Sequence, residues 1–121
     1  PPRDESYRFP KEGLVKTFVQ DRPLGKEFLP PGNVAEYERD GKTYTLFLVS
    51  AGDPQAAALL EYDIKDRLTD AKFVASFGGH FGMDGDVPWF VFPKESAVAG
   101  VVGLPQDEAD AVARVFAGRM D

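Results

Sequence analysis

The stretch Val34-Ala35-Glu36-Tyr37-Glu38-Arg39-Asp40-Gly41-Lys42-Thr43-Tyr44-Thr45-Leu46-Phe47-Leu48-Val49 decides the fold. Two strand-like runs flank Asp40-Gly41, a dipeptide favoured in type I′ turns because both central residues need positive φ. In the second run Tyr44, Leu46 and Leu48 alternate with Thr43, Thr45 and Phe47, so one face reads apolar and the other mixed. Gly52-Asp53-Pro54 then opens a helix, with Asp53 as N-cap and Pro54 at the first helical position. Ala57, Leu60, Ile64 and Leu68 recur at helical spacing as its apolar stripe, and Glu61, Asp63 and Asp66 read as its solvated face.

Downstream, Lys72 to Phe77 reads as a strand, followed by a glycine-rich connector, Gly78-Gly79-His80-Phe81-Gly82-Met83-Asp84-Gly85-Asp86. Trp89 to Phe92 and Ala97 to Gly103 form a second hairpin around Pro93-Lys94-Glu95, and Pro105 to Met120 a second helix with Ala109, Val112, Phe116 and Met120 on one side. The second stripe repeats the spacing of the first, and Tyr44, Leu46 and Leu48 align over Val98, Gly100 and Val102. The chain therefore reads either as two ββα pseudo-repeats or as two amphipathic helices that share a common spacing by chance, and in both cases the units share one sheet and one core. Upstream, Leu14 to Gln20 is rich in β-branched and aromatic residues, and the bracketing Pro10 and Pro23 put that strand at an edge. The expected fold is α+β: an antiparallel sheet of five or six strands with two helices on one face. Residues 1–33 form a proline-rich N-terminal segment with one edge strand, and residues 34–121 a single α+β domain.

With 121 residues and 43% hydrophobic content, the chain can build one core without staples. Its folded surface should be roughly 6,500 Å². Fourteen basic against 20 acidic residues leave a net charge of −6, which argues against nucleic-acid binding, since that requires a basic face. No apolar run is long enough to span a membrane. The absence of cysteine excludes disulfides, zinc–thiolate sites, iron–sulfur clusters and thiol nucleophiles together. Six of the ten prolines fall within the first 31 residues, around the polar Arg3-Asp4-Glu5-Ser6. Such composition suits a short extended tether behind a removed signal or lipid-anchor segment, which favours an exported, periplasmic or lipid-anchored protein over a cytoplasmic one.

The single histidine, His80, lies four residues before Asp84 and six before Asp86. These three could ligate a divalent cation, but glycines and aspartates in such a stretch more often serve turns, and the turn reading is preferred. A phosphate cradle is disfavoured because no Lys-Ser/Thr or helix N-terminus follows the glycines. None of the four serines has the context of an activated nucleophile. No cofactor is expected. Phe73, Phe77, Phe81, Trp89, Phe90 and Phe92 crowd the connector, and the alternation of Trp89 and Val91 with Phe90 and Phe92 sends one pair to each sheet face. A face left open would suit a ligand or a second copy in a homodimer; alternatively, the N-terminal segment covers it. The candidate ligand-binding residues are His80, Phe81, Asp84, Asp86 and Trp89, with His80, Asp84 and Asp86 as the alternative metal set.

The run Tyr37 to Val49 followed by Asp53-Pro54-Gln55-Ala56-Ala57 resembles small exported or lipid-anchored bacterial α+β domains of unknown function, over roughly residues 34–66. The resemblance implies an α+β fold and export, and it brings no catalytic residues. The reading that follows is a non-catalytic extracytoplasmic binding or protein-interaction module for a protein or small-molecule ligand. The alternative is a metal- or small-ligand-dependent enzyme centred on residues 78–88.

Overall fold

A computed structural model describes residues 2–121. In chain order the elements are β1 (Leu14–Gln20), β2 (Gly32–Arg39), β3 (Lys42–Ser50), α1 (Pro54–Asp66), β4 (Thr69–Val74), β5 (Gly79–Asp84), β6 (Val87–Lys94), β7 (Ala97–Val102) and α2 (Gln106–Gly118), with 3-10 turns at Ser6–Arg8 and Pro23–Gly25. All seven strands join one sheet in the order β1-β2-β3-β7-β6-β5-β4, every pairing antiparallel. The folded surface is 6488 Å².

Local signals do what the sequence says they do. Asp40 and Gly41 have φ of 52° and 78°, as the type I′ turn between β2 and β3 demands. The Asp53 carboxylate accepts the Ala56 N–H at 2.8 Å and caps α1, with Pro54 in its first turn.

The sheet has seven strands rather than five or six. The additional one is β5, cut from the stretch that reads as a glycine-rich connector. Gly79 and Gly82 are there for close approach, not for turning. A Cβ at Gly79 would run into the Val91 carbonyl and Phe92, and one at Gly82 would lie 2.9 Å from Leu68 Cβ and 3.2 Å from Ala71 Cα.

The helices lie on opposite faces, not on one. Phe47, Val49, Trp89, Val91 and Val98 pack with Ala57 and Ile64 of α1, whereas Leu46, Leu48, Phe90, Phe92, Ala99 and Val101 pack with Ala109, Ala113 and Phe116 of α2. Successive strand residues point to opposite faces, so the unbroken run Leu46-Phe47-Leu48-Val49 feeds both layers. Reading Phe47 as part of a mixed, uncovered face missed this; it is fully buried. Each half does run hairpin then helix. However, a two-fold axis through the sheet between β3 and β7 would leave both helices on one face, so no such rotation relates the halves.

Residues 2–33 run across the fold instead of trailing from it. The Asn33 side chain accepts the Glu5 N–H at 3.0 Å and donates to the Arg3 carbonyl at 2.9 Å. Phe9 is fully buried 5.4 Å from Phe116, on the α2 side. On the α1 side, Phe28 lies 6.1 Å from Trp89. Trp89, Phe90 and Phe92 are consequently all buried, so the aromatics of β6 present no open face. Tyr37 donates its hydroxyl to the Pro10 carbonyl at 2.7 Å, and burial pushes the phenol above its ordinary value of 10, which keeps it a donor.

Candidate functional site

Residue Glu61, on the stripe expected to face solvent, is buried at 2% exposure. The inward residues of α1 are Ala57, Glu61 and Ile64, and Leu60 is only half-buried, so the helix is rotated relative to its expected stripe. What turns Glu61 inward is a partner. Its Oε2 lies 2.8 Å from Nδ1 of His80, which β5 presents beneath the helix. Burying a carboxylate is costly unless it is paired, and the imidazole supplies the pairing. Burial raises the Glu61 carboxyl above its ordinary 4.5, while the hydrogen bond and charge of His80 and the charge of Lys65 pull the other way.

Two aromatic rings flank the imidazole. Tyr62, the next residue along α1, meets it edge-on at 5.7 Å, and Phe73 packs at 5.5 Å from the paired position on β4. With Ala58, Gly78 and Pro93 they line a cleft of about 280 Å³ between α1 and the β4–β5 end of the sheet. Nδ1 is engaged by Glu61, and among the described residues Nε2 has no hydrogen-bond partner. Neither Nε2 nor the second oxygen of Glu61 is a fully buried unpaired polar atom, so each keeps some contact with solvent. A carboxylate on Nδ1 fixes the ring's orientation and favours the tautomer that leaves Nε2 as acceptor. The arrangement can therefore accept a hydrogen bond or a proton from a molecule in the cleft.

The other sequence candidates do not gather around it. His80 and Asp84 share a strand, and four residues of extended chain separate them by roughly 13 Å. Asp84 binds Lys26 at 2.7 Å, and Asp86 is exposed in the β5–β6 turn. Phe81 points to the α2 side, and Trp89 is buried against Phe28 and Phe47. Among the described residues no group of three or more histidine, aspartate or glutamate side chains is placed to hold a metal. From the sequence Glu61 reads as solvated face and Phe73 as one of the aromatics crowding the connector, and neither they nor Tyr62 stand among the candidate site residues. The available signal was Glu61 itself, four residues after Ala57 and three before Ile64, a carboxylate at an inward helical position. A larger groove of about 630 Å³ runs beside Phe28, Pro30 and Pro31, but its charged Arg22 and Glu27 face each other at 3.9 Å in open solvent.

No protein-family model matches the chain, and no curated protein matches it. Among solved structures, the crystal structure of a GTP binding regulator from Thermotoga maritima superposes with a TM-score of 0.64, covering 93% of this chain and 84% of that chain at 14% sequence identity. At this identity the likeness shows the fold: an α+β domain with an antiparallel sheet and two helices.

Proposed function

We propose that the protein is a non-catalytic binding module whose small-molecule site is the cleft between α1 and β4–β5. The observation that carries this reading is the buried Glu61–His80 pair, which lines a cleft together with Tyr62 and Phe73 and leaves Nε2 without a protein partner. Concave apolar walls with one or two fixed polar groups are what small-molecule sites consist of. The Thermotoga maritima protein binds GTP by its description, yet the cleft, not the shared scaffold, supports the reading here. No lysine or arginine is among the seven lining residues, and His80 is already paired with Glu61, so a nucleoside triphosphate is a poor occupant.

The same pair favours a second reading, in which His80 acts as a general base oriented by Glu61. That reading has less behind it. Tyr62 carries the only hydroxyl among the lining residues, and no lining residue offers a thiol or an amine as nucleophile.

The sole histidine gives a single-residue probe. In NMR spectra of histidine-labelled protein, the His80 Cε1–H signal should shift saturably with members of a panel of neutral, cationic and anionic small molecules, and the response should be lost in Tyr62→Ala and Phe73→Ala. A panel that leaves His80 unmoved at millimolar concentration removes the cleft as a binding site. Turnover of a bound molecule, abolished by His80→Gln, would replace the binding reading with the enzymatic one.

A further inference from the structure

We infer that the cleft is built for a small organic cation, a primary or methylated ammonium. This rests on the binding reading above and names the ligand class. With His80 in the neutral tautomer that donates Nδ1–H to Glu61, the polar features of the lining are electron-rich. Glu61 brings a carboxylate with one oxygen free of hydrogen bonds, His80 brings Nε2, and Tyr62 and Phe73 bring ring faces. Those two rings stay 55% and 65% exposed, although large aromatics normally bury most of their area. A cation over a ring within about 6 Å is attracted by its quadrupole, and a partly desolvated carboxylate adds directional charge.

The protein already shows the preference on one ring. The Lys65 ammonium lies 4.1 Å from the Tyr62 ring centroid. Lys65 is itself held by Asp66 at 2.8 Å, so the pair brings little net positive charge to oppose an incoming ammonium. No lysine or arginine is among the lining residues, and Ala58, Gly78 and Pro93 complete the lining without charge. A volume of about 280 Å³ admits a head group of choline size. The net charge of −6 raises the local concentration of cations and so favours the same class.

The test compares choline with its uncharged isostere, 3,3-dimethyl-1-butanol, following the His80 Cε1–H and Phe73 ring signals. Choline should saturate both signals, and the isostere should bind about tenfold more weakly or worse. Phe73→Leu, a change at an exposed ring that spares the fold, should abolish most of that preference. Glu61→Gln should narrow it. Equal affinity for the two probes would overturn the cation assignment and leave a neutral small-molecule site standing. Choline binding that ignores Phe73→Leu, or a response only to anions or to other neutral fragments, would overturn it as well. If no probe of any charge moves His80, the binding reading and this inference fall together.

Discussion

His80 and Glu61, 19 residues apart in the chain, meet at 2.8 Å between a strand and the helix that covers it. The contact explains why an acidic residue occupies an inward helical position, and it makes Glu61 the most informative single residue on α1. Glu61→Ala should cost about 1–3 kcal/mol, because it strips a buried imidazole of its partner. Glu61→Gln, which keeps an acceptor, should cost less, and exposed Asp63→Ala should stay within about 0.5 kcal/mol. Chemical denaturation measures all three. A Glu61→Ala midpoint equal to that of Asp63→Ala would mean the pair does not hold α1.

The pair also sets a pH dependence. Burial raises the Glu61 carboxyl above 4.5 in the folded chain, so the folded state holds this proton more tightly than the unfolded state. The stabilising contribution is fully present below the unfolded value and is lost as pH rises through the raised folded value. Stability of the parent minus that of non-titrating Glu61→Gln should therefore decline as pH climbs above 4.5, then level off. Denaturation midpoints across that range test the sign; a difference that grows with pH contradicts it.

At the β2–β3 turn, Gly41 has φ of 78° and Asp40 of 52°. Gly41→Val places a β-branched residue in the left-handed region and should cost about 1–3 kcal/mol. Gly41→Asn, which tolerates that region, should cost clearly less. Similar losses for both would place the cost somewhere other than backbone strain.

Core depth separates residues that look equivalent along the two helical stripes. Phe116→Ala should cost about 3–5 kcal/mol, since Phe116 is fully buried against Phe9. Half-buried Leu60→Ala should fall well below Ile64→Ala, whose side chain is fully buried. An inverted order between Leu60 and Ile64 in urea denaturation would put α1 in a different rotation.

Gly100 on β7 lies opposite Phe47, and a Cβ there would collide with the Phe47 ring. Gly100→Ala should lose about 1–3 kcal/mol through overpacking, and the double variant Gly100→Ala/Phe47→Leu should recover part of it. Strictly additive losses in a double-mutant cycle would show that the ring is not what the glycine makes room for.

What the sequence determined by itself is local. The Asp40-Gly41 turn, the Asp53 cap, the Leu14–Gln20 strand and the second helix follow from backbone preferences and periodicities that a short window contains. What only the tertiary structure decided is which apolar surface meets which. Leu46-Phe47-Leu48-Val49 reads the same whether one face is covered or two, and only docking of α1 and α2 on opposite sides distinguishes the cases. Gly79 and Gly82 look like loop glycines because the reason for them, neighbouring strands pressing close, lies in distant residues such as Val91 and Ala71. Glu61 looks solvated for the same reason: a carboxylate turns inward only where a partner waits. His80 becomes that partner when β5 is hydrogen-bonded into the sheet and α1 is laid across it.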